Sequence, residues 1–120
     1  MITSRIINDY NKPLTFETHK INQLVTSIFK DEKYNKGTVL IILSNKEYLS
    51  KLKKKFFNVN QYTDVIAFNL EDKECFVDGE VYISIDDVYE NSKIYSNTFN
   101  EEFKRVLIHG ILHLLGYDDK

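Results

Sequence analysis

Two histidines near the end of the chain, His109 and His113, are four residues apart. An α-helix repeats every 3.6 residues, so side chains at this spacing share one face and can direct both imidazole rings to a common point. Zinc accepts imidazole nitrogens, and a catalytic zinc takes three protein ligands while one position stays open for water. The spacing therefore predicts two ligands of a metal site used for hydrolysis, and the third ligand must come from outside the helix.

The residues that follow His113 offer that third ligand. Gly116 can take the left-handed conformation that ends a helix, and the reversed chain would bring Asp119 back toward the histidines. Carboxylates are accepted zinc ligands, and the spacing His-x3-His-x5-Asp matches the extended zincin pattern with an aspartate in place of the last histidine. We therefore expect one Zn²⁺ ion held by His109, His113 and Asp119.

A structural role for the two histidines is the alternative. They lie in an otherwise apolar segment, so they could be hydrogen-bonded groups at the edge of a core. The glycine and the two aspartates that follow favour the metal site over this alternative. The remaining histidine, His19, stands alone in another predicted helix and is expected at the surface.

Gly110 follows the first histidine of the pair. In the His-Glu-x-x-His motif of metalloproteases this position holds the glutamate that acts as general base, so the segment does not indicate a peptidase of that kind. A glycine inside a helix costs roughly 1 kcal/mol relative to alanine. Either a neighbouring backbone or a substrate is therefore expected to approach closely at Gly110.

The elements that position these residues follow from the spacing of apolar side chains. Stretches with three- and four-residue spacing indicate helices, and runs rich in β-branched residues indicate strands. We predict an α+β fold in which a mixed four-stranded sheet carries packed helices, with the zincin-like His-x3-His pair on the last helix. The predicted strands are Met1–Asp9, Thr38–Leu43, Asp64–Leu70 and Glu80–Ile85, and the predicted helices are 15–33, 46–56, 86–95 and 99–115.

Local signals refine these elements. A helix is expected to begin after a residue whose side chain accepts a backbone N–H, and an Asp-Gly pair favours a turn. The largely apolar run Thr38–Leu43 is expected at the centre of the sheet. The predicted caps are Thr15 or Thr18, Ser44 or Asn45, and Thr98 with Glu101 in a capping box. Asp86 or Asp87 is expected to start the third helix, and the predicted turn is Asp78-Gly79 at the end of an acidic loop.

Composition limits the class of protein. A chain of 120 residues and 14.2 kDa has the size of one domain, which we place at residues 1–120. Its net charge of −2 gives no global attraction to nucleic acid or to anionic membranes, so RNA binding would need a local patch. Cys75 is the only cysteine and no apolar run could span a bilayer, so we expect a cytoplasmic protein with no membrane partner.

The motifs resemble those of the YbeY family of bacterial metal-dependent endoribonucleases. The family signature His-Gly-x-Leu-His-Leu-x-Gly-Tyr-Asp-His is similar to residues 109–119, which end in Asp119. Residues 63–68 are similar to the family stretch Thr-Asp-Val-Leu-Ser-Phe, and residues 79–84 to Gly-Asp-Ile-x-Ile-Ser. The similarity runs from about Leu52 to the end of the chain, and the first half agrees only in its pattern of elements.

This resemblance implies a zinc-dependent, single-strand-directed endoribonuclease. It implies a role in ribosomal RNA maturation, at the 16S 3′ end, and in ribosome quality control, with RNA and the ribosome as partners and no small organic cofactor. His109 and His113 would then be catalytic as well as metal ligands, and Asp118 would orient a ligand from behind it. The metal would activate the nucleophile or stabilise charge on the phosphate.

A lysine-rich helix is the candidate RNA-binding surface if the resemblance holds. Lys51, Lys53, Lys54 and Lys55 would contact the phosphate backbone, which contributes salt-dependent affinity without reading sequence. An ordinary solvated helix face is the alternative for these lysines. Asp64, in the second family stretch, is expected to be structural.

Two positions depart from the family. Asp119 replaces the last histidine, which lowers the net charge of the metal site by one and should make a bound water less acidic. Phe57 stands where the family usually has an arginine near the active site, so that phosphate-binding guanidinium is expected to be absent. The sequence also ends one residue after Asp119, whereas family members usually continue. A non-catalytic RNA- or ribosome-binding module with a structural or vestigial metal site therefore stays open, as does a zinc peptidase with an unrecognised base.

Overall fold

Four strands form one mixed sheet in the computed structural model, which describes residues 1–59 and 63–117. The second strand along the chain lies inside the sheet and pairs in parallel with the first and the fourth. The third strand pairs antiparallel with the fourth. The first and third strands therefore form the two edges of the sheet. The predicted mixed sheet and its central second strand are confirmed, and the strands are β1 (Ile2–Asn8), β2 (Lys36–Ser44), β3 (Val65–Lys73) and β4 (Phe76–Ser84).

Helices pack on both faces of this sheet. Successive side chains of a strand point to opposite faces, so each strand contributes to two separate apolar clusters. The first, third and fourth helices share the main core with one face, and the second helix packs on the other face around Ile66. Within the part of the chain that the structure describes, the helices are α1 (Thr18–Asp31), α2 (Lys46–Phe57), α3 (Ile85–Ile94) and α4 (Phe99–Leu114).

The helix α4 crosses the sheet at Gly110, and the close contact explains this glycine. A Cβ atom at position 110 would lie 2.7 Å from Val65 Cγ2 and 2.7 Å from Val81 Cγ1. Both valines are buried in strands, and their branched side chains have little freedom to move aside. Of the two explanations that the sequence leaves open, the structure supports close packing of a neighbouring element.

The turn between β3 and β4 differs from the prediction. The predicted turn at Asp78-Gly79 is wrong, because both strands continue through the expected acidic loop and meet at a two-residue turn, Glu74 and Cys75. Cys75 adopts a left-handed conformation with φ of 61°. Gly79 instead lies inside β4, where Leu114 Cδ1 nearly fills the place that a Cβ atom would occupy. Pairing on both sides of β4 and contact with α4 outweigh the local turn preference.

The start of α1 also differs from the prediction. The helix begins at Thr18 rather than Thr15, and Glu17 precedes it without a capping hydrogen bond from its side chain, so neither predicted threonine is the cap. The residues before it are drawn into tertiary packing, since the Phe16 ring lies against Phe103 with 4.5 Å between centroids. A contact between distant parts of the chain therefore sets this boundary.

Hydrogen bonds from side chains set the starts of the other helices. Ser84 caps α3 by accepting the Asp87 N–H, so this helix begins at Ile85, one residue before the earlier of the two predicted starts. The predicted capping box at the start of α4 is confirmed, because both of its hydrogen bonds, between Thr98 and Glu101, are present. The confirmed caps are Asn45 for α2 and Thr98 with Glu101 for α4.

Substitution of Gly110 by alanine tests the packing of α4. We expect Gly110→Ala to lower the free energy of unfolding by about 1–3 kcal/mol in urea denaturation, as overpacking does, although alanine is the better helix former. In a protein that already carries Val65→Ala, Gly110→Ala should lower the free energy of unfolding by a smaller amount, because one of the two opposing methyl groups is gone. An equal cost in both backgrounds would contradict the packing explanation.

Candidate metal centre

A row of polar residues follows one side of α4. Glu102, Arg105, His109 and His113 succeed one another at three- or four-residue spacing, which places them along one face of the helix. We call these four residues the polar stripe. The neighbouring face of the helix is buried against the sheet, so the stripe runs beside the α4–sheet contact and both histidines are half-buried.

The two histidines of the polar stripe direct ring nitrogens toward each other. His109 Nε2 and His113 Nε2 are 2.7 Å apart, which is hydrogen-bond distance. The ring centroids are 4.5 Å apart and the ring planes differ by 17°, so the rings are stacked on successive turns. The convergence of both side chains that the spacing predicts is thus present.

The two imidazoles fit part of a zinc site. A zinc–nitrogen distance of about 2.0–2.1 Å and tetrahedral angles put two ligand nitrogens about 3.3 Å apart. The observed separation of 2.7 Å is shorter, so the two rings would part slightly to admit an ion. Over residues 1–59 and 63–117, no group of three histidine, cysteine, aspartate or glutamate side chains is placed to hold a metal. Asp118 and Asp119 lie outside the described residues, so their roles stay predictions.

The end of α4 has the geometry expected for Gly116. This glycine has φ of +106°, its N–H donates to the carbonyl of His113 at 3.0 Å, and the Tyr117 N–H donates to Leu112 at 3.0 Å. These two bonds form a Schellman motif, which ends a helix through a left-handed glycine. The prediction that Gly116 ends the last helix is confirmed.

Two side-chain contacts anchor this end of the helix. Asn69 Nδ2 on β3 donates to the carbonyl of Leu114 at 3.1 Å. Tyr117 then donates its hydroxyl to Glu32 Oε1 at 2.6 Å, and the carboxylate raises the pKa of the Tyr117 hydroxyl. The last turn, which carries His113, is therefore tied to β3 and to the end of α1.

An ion pair that the sequence did not reveal occupies the other half of the polar stripe. The Glu102 carboxylate is fully buried and accepts bonds from Arg105 Nε at 2.9 Å and Nη2 at 2.5 Å. Its arginine partner holds the pKa of Glu102 below its ordinary value. Arg105 Nη2 also lies 3.6 Å from Asp64 Oδ2. This ion pair links the residue before β3 to α4 and agrees with the structural role expected for Asp64. The sequence contains an indication of the Glu102–Arg105 pair, because Glu102 and Arg105 have helical spacing and Arg105 precedes His109 by one turn.

The predicted RNA-binding residues lie elsewhere. The helix α2 packs on the sheet face opposite α4, so its lysines are not brought together with the histidines. Phe57 is the last residue of α2 and is exposed, and His19 is exposed on α1 as expected. If these lysines bind the same RNA as the histidines, that RNA must contact more than one face of the sheet. The residues concerned are Lys51, Lys53, Lys54 and Lys55.

Known proteins are similar to this chain in sequence and in fold. A family model described as Endoribonuclease YbeY matches residues 6–120. A relative of that name from Cytophaga hutchinsonii is 37% identical over 101 residues, which cover 84% of this chain and 71% of the relative. The Flavobacterium psychrophilum relative is 40% identical over 106 residues, covering 87% and 73% respectively. The Karelsulcia muelleri relative is 43% identical over 94 residues, covering 78% and 64%.

A solved structure extends the similarity to three dimensions. The solution structure of a Thermotoga maritima protein matches with a TM-score of 0.60 and 30% sequence identity. The match covers 100% of this chain and 75% of that protein. The chain thus spans between 64% and 75% of the length of these four proteins.

Removal of the Arg105 side chain tests the ion pair. We expect Arg105→Ala to lower the free energy of unfolding at pH 7 by on the order of 3 kcal/mol, because it leaves the Glu102 carboxylate buried without a cation. In a Glu102→Gln background, where no charge is buried, Arg105→Ala should cost much less.

The same pair gives a pH dependence. Because the pKa of Glu102 is lowered in the folded state, its stabilisation is present above the ordinary value of 4.5 and is lost as the pH falls through the lowered value. The free energies of unfolding of wild type and Arg105→Ala, measured by urea denaturation, should therefore become more similar as the pH falls. A difference that grows at acid pH would contradict this assignment.

Proposed function

We propose a function from one premise: this chain belongs to the Endoribonuclease YbeY family. The enzyme class predicted from the sequence is confirmed at the level of that family. We propose that the chain is a zinc-dependent endoribonuclease that cuts single-stranded RNA. His109, His113 and Asp119 would bind the ion, and Asp118 would orient one of these ligands.

The paired histidine nitrogens carry this proposal. Imidazole is a common zinc ligand, and two such donors already converge on one side of α4. When bound, zinc supplies a Lewis acid that lowers the pKa of water and stabilises negative charge on a phosphate. The chain's own contribution is to hold the two imidazoles on a helix whose last turn is anchored through Asn69 and Gly116. Rigid placement of ligands limits the reorganisation needed for catalysis.

The position of Gly110 supports phosphodiester over peptide cleavage. A peptidase of the His-Glu-x-x-His type needs a glutamate at this place, and packing against Val65 and Val81 leaves too little room for a side chain of that size. The family membership points the same way, because the relatives are named endoribonucleases. Hydrolysis of RNA is therefore the reaction proposed.

The lysines of α2 are the proposed contacts to the RNA backbone. Lys51, Lys54 and Lys55 are exposed, and Glu47 is the only acidic residue of that helix. This cluster provides a local positive charge on a chain whose net charge is −2. Lys53 is the fourth lysine proposed to contact RNA. RNA binding through these four lysines should weaken as the salt concentration rises.

The cellular role is proposed from the family resemblance. We propose ribosomal RNA as the substrate, with maturation of the 16S 3′ end and ribosome quality control as the processes served. The ribosome would then be a partner, a small organic cofactor is not required, and the cytoplasm is the proposed location. Across the described part of the chain, no helix combines the length and the apolar character needed to cross a membrane.

RNA cleavage by histidine variants tests the proposed reaction. Highly purified, zinc-loaded protein should cut a labelled single-stranded RNA, and His113→Ala should cut it at least about a hundredfold more slowly, since even losses behind the ligands cost 10–100-fold. His19→Ala is the matched control, because it removes an exposed histidine from α1 and should keep the wild-type rate. Equal rates for His113→Ala and wild type would contradict the proposed reaction.

The same proteins separate catalysis from binding alone. Asp119 and Phe57, which stand where the family usually has a histidine and an arginine, favour a binding module as the second candidate function. That candidate predicts RNA affinity that falls steeply with salt, persists in His113→Ala and comes with no cleavage by the wild type.

A further inference from the structure

Two exposed phenylalanines end the helix α2. The side chains of Phe56 and Phe57 are 56% and 45% exposed, although each ring carries a large apolar area. We call Phe56 and Phe57, together with Phe68 beneath them, the aromatic platform. Exposed apolar side chains that form one contiguous patch, rather than lying singly, are a feature of binding surfaces.

The aromatic platform is held firmly from below. The Phe57 ring stacks on Phe68 with 5.9 Å between centroids and 26° between planes, and Phe56 meets Phe68 edge-on at 5.2 Å. Phe68 in turn packs against the Tyr82 ring at 5.7 Å. Both supporting rings project from paired strands, so the outer rings are presented on a rigid base. A preordered surface loses less conformational entropy on binding.

Lysine ammonium groups lie next to the exposed rings. Lys53 Nζ is 4.8 Å from the centre of the Phe57 ring, and Lys55 Nζ is 5.3 Å from the centre of the Phe56 ring. A ligand that suits this arrangement has a flat, polarisable face beside a negative charge. A nucleotide in single-stranded RNA has both, because its unpaired base can stack on an aromatic ring while its phosphate binds a nearby lysine.

We propose that the aromatic platform binds unpaired bases of single-stranded RNA, with Lys53 and Lys55 moving from the ring faces to the flanking phosphates. This site lies on the sheet face opposite the histidines, beside the edge strand β3. The inference deepens the proposed function and rests on it for the identity of the ligand. It gives the enzyme a second point of attachment, which selects strands whose bases are free.

Binding of short oligonucleotides tests the platform without catalysis. The probes are a labelled uridine 12-mer, the same phosphate backbone with abasic sites, and a duplex of equal length, all followed by fluorescence anisotropy with chelator present. Phe57→Leu keeps an apolar contact with Phe68 but removes the ring. It should bind the 12-mer roughly tenfold more weakly, while its affinity for the abasic strand stays at the wild-type value. The duplex should bind wild type more weakly than the 12-mer.

Matched variants separate stacking from other effects. Phe57→Tyr retains a ring and should keep wild-type affinity, whereas Ile94→Ala removes an exposed apolar side chain at the end of α3 and should change nothing. The binding assay contains chelator and needs no cleavage, so failure of the proposed reaction and failure of the platform give different results.

Three results would overturn the inference. The first is an equal loss of affinity for the 12-mer and the abasic strand in Phe57→Leu. The second is unchanged affinity for both probes in that variant. The third is concentration-dependent self-association that Phe57→Leu abolishes in sedimentation, without any effect on RNA, which would identify a second copy of the chain as the occupant.

Discussion

The close contact between α4 and the sheet at Gly110 is the constraint on which the rest of the structure depends. With no side chain at this position, the helix approaches Val65 and Val81 closely enough to bury the face beside the polar stripe. Leu114 fits over Gly79 in the same way one turn later. These contacts fix the rotation of α4, and that rotation decides that His109 and His113 emerge together at the edge of the core.

The sheet separates two kinds of surface that RNA cleavage would need. The main-core face carries the polar stripe, in which a buried carboxylate holds Arg105 one turn before the paired histidines. The opposite face carries the lysines of α2 and the aromatic platform, with Phe57 at its outer end. The edge strand β3 contacts both sides, through Asn69 toward α4 and through Phe68 toward α2. A single strand of RNA passing around β3 would meet both surfaces, whereas a stiff duplex would not bend so sharply.

Features governed by local chemistry could be predicted from the sequence. The capping box at Thr98, the helix end at Gly116 and the shared helical face of the two histidines each depend on residues a few positions apart. Features set by distant partners could not. The β3–β4 turn lies at Glu74 and Cys75 rather than at the predicted Asp78-Gly79, because strand pairing and contact with α4 outweigh the local turn preference. The helix α1 begins after the predicted start because Phe16 packs against Phe103. The Glu102–Arg105 pair was missed because its strength comes from burial, which spacing does not show.

Zinc titration followed by NMR of the histidine ring signals tests most directly whether the paired histidines form a metal site. We predict that the signals of His109 and His113 shift together and saturate at one equivalent of Zn²⁺. The signals of His19, exposed on α1, serve as an internal reference and should not move. Unchanged ring signals of His109 and His113 at saturating zinc, or a shift of His19 alone, would contradict this prediction.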